Sequence, residues 1–289
     1  MIPVDRVDRR TVRAAAIKRL AAAGVASPAH DADELLAHVL GTVRGRLALV
    51  DGLTAAQATA YDALVARRAS REPLQHLTGT AAFRYLELQV GPGVFVPRPE
   101  TELLAGWAVD RARELVPVQE LVVVVDLCTG SGAIAKAVAT EVPETTVHAV
   151  ELDEDAYAWA VRNFAGTGVD LRLGDLVSEL DELVGTVDVV TCNPPYVPLS
   201  AWESVAAEAR DHDPHVALFS GDDGLDAIRA LEARAARLLR AGGVVGFEHA
   251  DVQGESAPAV FADSGRWREV RDHVDLAGRP RFTTARLAR

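Results

Sequence analysis

From residue 121 onward, short runs rich in valine alternate with segments of helical period, and no other feature narrows the fold so far. Strands are expected at 121–126, 146–150, 169–173, 187–192 and 243–248, with helices near 132–141, 154–164, 223–240 and 251–262. Strands separated by helices pair in parallel, so the pattern predicts an α/β, doubly wound, Rossmann-like sheet covered on both faces. The tail breaks the rhythm. Apolar runs at 270–276 and 281–287 are joined only through Gly278-Arg279-Pro280, a connection too short for a crossover. Those two strands must pair antiparallel, giving a seven-stranded sheet with a hairpin at its edge.

The preceding third of the chain reads differently. Alanine-rich helical segments near 8–23, 28–40 and 54–70 are separated by Gly24, Gly41 and Gly52. Pro28 behind Ser27 suits a first helical position, and Thr54-Ala55-Ala56-Gln57 has capping-box form. Together they predict a small N-terminal helical bundle. Strand-like residues at 83–90 and 94–96 flank Gly91-Pro92-Gly93 and run into Pro97-Arg98-Pro99-Glu100-Thr101-Glu102, which reads as a hairpin between domains. The expected organisation is a helical recognition domain over 1–75, a hairpin linker over 76–100 and the doubly wound domain over 101–289.

Charge limits the partners. Of the net −12, residues 1–75 carry 11 Lys+Arg against 8 Asp+Glu, whereas 76–289 carry 19 against 34. A body this acidic is poorly suited to a polyanion, because nucleic-acid affinity rests on neutralising phosphates. No apolar run approaches the roughly 18 residues of a membrane span, and the start MIPVDRVDRR lacks the apolar core of a signal peptide, so a cytoplasmic location is expected. The two cysteines, Cys128 and Cys192, show neither CxxC nor His/Cys ligand spacing. A disulfide framework and a structural metal are therefore not expected.

Two constellations carry chemistry. In the first, an apolar strand runs through Val125-Asp126-Leu127-Cys128 into Thr129-Gly130-Ser131-Gly132 and opens a helix. Small residues there let a ligand approach the backbone and meet helix N-terminal amides, as in nucleotide binders of several kinds. Glu151, about 20 residues on at the end of the next strand, is placed to accept both hydroxyls of a ribose; the bland alternative is a helix-start acid. Asp175, after the third strand, is placed to accept from an adenine amino group or serves as a turn aspartate.

The second constellation is Asn193-Pro194-Pro195-Tyr196, directly after the strand at 187–192. An amide nitrogen is a poor nucleophile because its lone pair is delocalised into the carbonyl. It attacks only when acceptors hold both N–H hydrogens and aim the lone pair. The Asn193 side-chain oxygen and the Pro194 carbonyl supply two acceptors, the prolines stiffen the loop, and Tyr196 offers a flat face to a planar amide. In a doubly wound sheet the first and fourth strands are neighbours at the switch point, so this loop and the Gly-rich turn face one crevice.

With Glu72-Pro73-Leu74-Gln75-His76-Leu77-Thr78-Gly79, Val96-Pro97-Arg98-Pro99-Glu100-Thr101-Glu102, Asp223-Gly224-Leu225-Asp226, Glu248-His249 and Gln253-Gly254 added, the chain resembles the release factor glutamine methyltransferases, the HemK/PrmC family, over nearly its whole length. The resemblance implies a methyl transfer from S-adenosyl-L-methionine, leaving S-adenosyl-L-homocysteine, to the side-chain amide nitrogen of the glutamine in the Gly-Gly-Gln tip of class I release factors. It also implies a helical N-terminal domain that grips the factor; no metal is expected, because the sulfonium already activates the methyl group and the sequence has no Cys/His/Asp ligand cluster. Carried over by motif, Cys128, Thr129, Gly130, Ser131, Gly132, Glu151, Leu176 and Asn193 line the cofactor, and Asn193, Pro194, Pro195 and Tyr196 hold the glutamine. Departures are Cys128 where glycine is usual, Glu151 for aspartate, Asp213-Pro214 for Glu-Pro, and Ala250 for glycine. Two further readings are another protein glutamine and an exocyclic amino group of nucleic acid, which presents the same unreactive nitrogen; the acidic body opposes the latter. A nucleotide-binding module without catalysis is opposed by the complete polar site.

Overall fold

The computed structural model describes residues 6–288, so residues 1–5, part of the N-terminal stretch read above, lie outside the described residues. The chain separates into two compact units. One comprises the chain up to Thr80 together with the inserted segment Ala206–His212; the other begins at Ala81, omits that insertion and resumes at Asp213.

In the smaller unit, helices span Arg9–Ala22, Pro28–Val39, Ala55–Ala69 and Leu74–Thr78. Their starts follow from local chemistry. Asp8 accepts from the Thr11 amide at 2.8 Å, Pro28 occupies the first turn, and Thr54 and Gln57 complete a capping box with bonds of 3.2 and 2.9 Å. Ser27 makes no side-chain capping bond; Pro28, which lacks an N–H, sets the helix start alone. Leu20, Leu35, Leu36, Leu53, Tyr61 and Val65 form the core. The short helix Ala207–His212 joins this unit through Glu208, which accepts from Arg68 at 3.1 Å and from Arg71 at 2.5 Å. Arg68 is itself buried and also donates to Asp31 at 2.7 Å. Removing the Arg68 guanidinium would leave Asp31 buried without a counter-ion, whereas Glu208 would keep Arg71.

The larger unit is built on a seven-stranded sheet, numbered here β1 Val122–Leu127, β2 Thr145–Glu151, β3 Asp170–Leu173, β4 Val187–Cys192, β5 Leu239–Glu248, β6 Trp267–Val274 and β7 Pro280–Leu287. Its spatial order is β6-β7-β5-β4-β1-β2-β3, parallel from β3 through β5, with β7 antiparallel to both its neighbours. β1 and β4 are buried at every position, as strands covered on both faces must be. Alternate residues of β1 feed opposite cores. Val123 and Val125 join Ile228, Leu231, Phe247 and Phe261, whereas Val122 and Val124 join Ala108, Val109, Ala135 and Val138.

The expected hairpin is displaced. It pairs Thr80–Phe83 with Leu86–Gln89 around Arg84-Tyr85, and Val94 to Val96 is not a strand. Arg84 takes φ 52 with no glycine to announce the turn, held by Glu141 at 2.6 and 2.8 Å and by the Glu102 carbonyl at 3.2 Å. Gly91-Pro92-Gly93 serves close packing instead: a Cβ on Gly91 would lie 2.5 Å from the Trp159 ring, whose Nε1 donates to the Pro92 carbonyl at 3.1 Å. The helix Thr101–Leu115, unanticipated from the sequence, starts inside the proline-rich motif and buries Leu104, Ala105, Ala108, Val109 and Ala112.

Candidate active site

β1 and β4 are hydrogen-bonded neighbours, with Leu127 opposite Cys192. The Gly-rich turn and the Asn193 loop therefore leave adjacent strand ends, as expected of the switch point. Asp126, the penultimate residue of β1, is buried. Its carboxylate accepts from the Thr129 hydroxyl at 2.6 Å, the Thr191 hydroxyl at 2.8 Å and the Ala135 amide at 3.3 Å. It thereby ties turn, helix start and β4 together, a role the sequence reading did not assign. Burial pushes its pKa up to about 6 against those donors.

Three residues of the turn have positive φ: Cys128 at 56°, Gly130 at 58° and Gly132 at 86°. A side chain in that region is strained, which explains why glycine suits position 128. The Cys128 side chain packs against the apolar cluster that contains Cys192. Burial and the neighbouring Cys128 raise the Cys192 thiol well above its ordinary value, so it stays neutral. A Cβ on Gly132 would strike the Phe164 ring at 2.5 Å, whereas one on Gly130 would meet nothing within 4 Å. The turn is therefore closed beneath Gly132 and open at Gly130, a cradle for a ligand approaching the backbone.

Glu151 ends β2 beside this cradle and is 8% exposed. One carboxylate oxygen accepts the Gly130 amide at 2.7 Å; the other accepts the Leu152 and Asp153 amides, each at 2.9 Å. Burial raises its pKa and the three amides oppose that rise. The neighbouring acids behave differently, Asp153 capping the helix Glu154–Asn163 through the Asp155 and Ala156 amides. Three donors leave an ionised carboxylate lone-pair capacity for a hydroxyl. Asp175 is exposed and accepts the Val177 amide at 3.0 Å, a turn contact, while Leu176 is half-buried against the same cluster as Cys128.

Asn193 lies half-buried just past β4, and its Nδ2 faces the Thr101 hydroxyl at 3.5 Å. Thr101 donates to Glu248 at 2.6 Å, and the Tyr196 hydroxyl donates to the other oxygen of the same carboxylate at 3.1 Å. Glu248 is 1% exposed; burial raises its pKa, opposed by the two hydroxyls and by Arg281. Burial and the Glu248 charge likewise push the Tyr196 phenol up, so it remains protonated. Gln253 braces the loop by donating to the Tyr196 carbonyl at 3.0 Å, and its oxygen accepts the Ala250 amide at 3.0 Å. Gly224, at φ 77, leaves room for that loop, since a Cβ there would lie 2.3 Å from the Tyr196 carbonyl. Arg98 donates to buried Asp213 at 3.0 Å, whose carboxyl burial pushes up to about 6. The Arg-Pro-Glu-Thr, Asp-Gly-Leu-Asp, Glu-His and Gln-Gly motifs thus converge on the residues around Asn193, with roles that the sequence alone did not assign. Among the described residues no cluster of His, Cys, Asp or Glu is arranged to hold a metal ion.

Comparison with known proteins fits this geometry. Residues 11–79 match the PrmC N-terminal domain and residues 124–212 a methyltransferase domain. A release factor glutamine methyltransferase from Streptomyces coelicolor is 58% identical over 95% of this chain and 96% of its own length. The chain belongs to the release factor glutamine methyltransferase family. At 45% identity, over 70% of this chain and 70% of its own, it also matches a 4-amino-L-phenylalanine/4-methylamino-L-phenylalanine methyltransferase from Streptomyces pristinaespiralis. The crystal structure of the hMettl16 catalytic domain in complex with MAT2A 3'UTR hairpin 6 shares the fold, with a TM-score of 0.52 and 13% identity over 70% of this chain and 75% of that one. In this member of the family, buried carboxylates stand behind both motifs, Asp126 and Glu151 at the Gly-rich turn and Glu248 behind Asn193 and Tyr196.

Proposed function

We propose that this chain transfers a methyl group from S-adenosyl-L-methionine to the side-chain amide nitrogen of the glutamine in the Gly-Gly-Gln motif of class I release factors. What supports the reading is the Asn193 loop, which leaves the end of β4 beside the Gly-rich turn, in a chain that matches release factor glutamine methyltransferases almost end to end. The cofactor supplies a methyl group already activated by its sulfonium, so the protein's work is positioning. Cys128, Thr129, Gly130, Ser131 and Gly132 would form the backbone cradle, Glu151 would accept a ribose hydroxyl beside its three amides, Leu176 would line the adenine side and Asp175 would accept from its amino group. Asn193 and the Pro194 carbonyl hold the two N–H hydrogens, Pro195 stiffens the loop, and Tyr196 packs against the amide plane. A new C–N bond forms as the C–S bond breaks, and the nitrogen then gives up one proton to water.

The helical N-terminal unit is assigned to recognition of the factor. Its mildly basic balance against an acidic body supports this, as does its match to the PrmC N-terminal domain. A cytoplasmic location follows from such a substrate; among the described residues no helix is long and apolar enough to cross a membrane. The test is methyl transfer to purified release factor, duplex DNA and 4-amino-L-phenylalanine in parallel, with the modified residue mapped by mass spectrometry. Modification of the Gly-Gly-Gln glutamine alone supports the reading. Preferential modification of DNA or of the free amine overturns it.

A further inference from the structure

We propose that Glu248, acting through the Thr101 hydroxyl, fixes which way round the Asn193 amide sits and so makes Asn193 an acceptor toward the incoming nitrogen. The inference rests on the proposed function and names two positioning residues for it. An asparagine side chain presents an oxygen and an NH₂ of nearly the same shape, and a half-turn about its last torsion exchanges them. Only the oxygen can accept an N–H of the substrate amide. Some neighbour has to decide between the two orientations, and the carboxylate behind the loop does so.

The decision follows from counting protons. An ionised carboxylate only accepts, and each hydroxyl has one proton to give. Glu248 receives the Thr101 proton at 2.6 Å and the Tyr196 proton at 3.1 Å. Thr101 is then left with lone pairs alone on the side that faces Asn193, where Nδ2 stands at 3.5 Å. The reversed amide would set its oxygen against the lone pairs of the buried Thr101 hydroxyl. Its oxygen is therefore turned away from Thr101 and left for the substrate. Register places these groups together: Cys192 pairs with Phe247, so Asn193 and Glu248 leave neighbouring strands side by side. Thr101 arrives as the first residue of the helix Thr101–Leu115; burial raises the Glu248 pKa, and the two hydroxyls and the Arg281 charge oppose that rise. The committed Tyr196 proton has a matching consequence, since the phenol cannot donate to the substrate carbonyl while it serves Glu248.

The sharpest perturbation is Glu248→Gln, which keeps the shape and reverses the logic. A glutamine offers one oxygen and one NH₂, so one of the two hydroxyls becomes an acceptor; with the NH₂ on the Thr101 side, the released Thr101 proton captures the Asn193 oxygen. Single-turnover methylation of intact release factor should slow by about tenfold to a hundredfold, the range of a lost preorganised contact, with S-adenosyl-L-methionine affinity within about threefold of the parent. Thr101→Val, which removes the hydroxyl at constant shape, should show the same split. Thr101→Ser, which restores it, should return the rate to within about threefold. The double variant Glu248→Gln/Thr101→Val should be no slower than the slower single, because both act through one chain of bonds. Parent rates in Thr101→Val, or a serine variant as slow as the valine one, would overturn the proposal even if Glu248→Gln fails to fold. Asn193→Ala separates this from failure of the underlying reading. If it too runs at the parent rate, Asn193 does not hold the glutamine; if it is slow while Thr101→Val and Glu248→Gln are fast, only the orientation relay is wrong.

Discussion

Removing the Glu151 carboxylate probes the cofactor reading most directly, because the structure gives that group two separable duties. In the protein alone it accepts the Gly130, Leu152 and Asp153 amides at 2.7, 2.9 and 2.9 Å. In the proposed complex its remaining lone-pair capacity would go to the ribose. Leu152 is exposed, so water can replace the acceptor for its amide, whereas the Gly130 amide is partly buried and loses more. Glu151→Ala should therefore cost about 1–2 kcal/mol of stability. It should also cost about 1.5–3 kcal/mol of cofactor affinity, the worth of a hydrogen bond to a charged group, which is about a 10- to 150-fold rise in Kd. Since ribose contacts are made equally in ground and transition states, the single-turnover rate at saturating cofactor should stay within about threefold of the parent. Glu151→Gln should lose nearly as much affinity, because its one oxygen can serve Gly130 or the Leu152–Asp153 pair but not both, and its NH₂ then faces a donor. Titration calorimetry with S-adenosyl-L-methionine, beside urea unfolding, reads both duties. Unchanged affinity with lowered stability would mean that the acid only holds the turn, and the ribose assignment would be refuted.

Asn193→Ala should retain the fold and most cofactor affinity while single-turnover methylation falls by about a hundredfold or more; Asn193→Asp should bind cofactor at least as tightly and still turn over slowly, because its charge stabilises the sulfonium ground state more than a transition state in which that charge disperses. Parent-like rates in the alanine variant would remove Asn193 from the mechanism. Asp126, with a folded pKa of about 6 against an ordinary 3.8, holds its proton more tightly when folded, so its contribution to stability falls as pH rises between those values and is level above them, by up to about 3 kcal/mol. Urea midpoints of parent and Asp126→Asn across that window should diverge with that sign, and parallel profiles would contradict it. Arg68→Ala leaves Asp31 buried and unpaired and should destabilise the helical unit by about 3–5 kcal/mol, read as early loss of helical circular dichroism; an unchanged unfolding curve would count against the buried ion-pair reading. Methylation should survive EDTA, and activity lost to the chelator and restored by magnesium or zinc would oblige a metal-dependent account.

Most of the larger unit was legible because its strands are buried on both faces. Val122–Leu127 and Val187–Cys192 read as continuous apolar runs for the same reason that they fill the centre of the sheet. The edge hairpin was equally legible, since Gly278-Arg279-Pro280 leaves no room for a crossover. Turns without glycine were not. Arg84 reverses the chain at φ 52 because Glu141 and the Glu102 carbonyl hold its guanidinium, and no local residue signals a contact 57 positions away. The helix Thr101–Leu115 did leave a trace: Leu104, Ala105, Ala108, Val109 and Ala112 recur at helical spacing, just behind a proline-rich stretch that carries no helical signal of its own. The placement of Ala206–His212 with the N-terminal helices was hidden for another reason, because Glu208 meets Arg68 and Arg71 across about 140 residues.

The candidate site divides along the same line. Groups expected to meet a ligand through backbone or a single side chain announce themselves locally, since a cradle needs small residues in sequence and an acceptor pair needs a stiff loop; the Gly-rich turn and Asn193-Pro194-Pro195-Tyr196 are proposed on that ground. Groups that orient those residues carry no local pattern. Thr101 is 92 positions from Asn193 and 147 from Glu248, and Gln253 is 57 from Tyr196, so only folding brings the proton donors and acceptors into one count. Buried polar groups are costly unless every one is partnered, which makes such a network all-or-none and ties its members to one another more than to any neighbour in sequence. A change at one member should therefore be answered at another. If Gln253→Ala frees the Tyr196 carbonyl and loosens the loop, the loss of rate should resemble that of Glu248→Gln in leaving cofactor affinity intact, although the two substitutions lie on different bonds. A Gln253→Ala enzyme with parent single-turnover kinetics would show that the loop is held by its prolines alone.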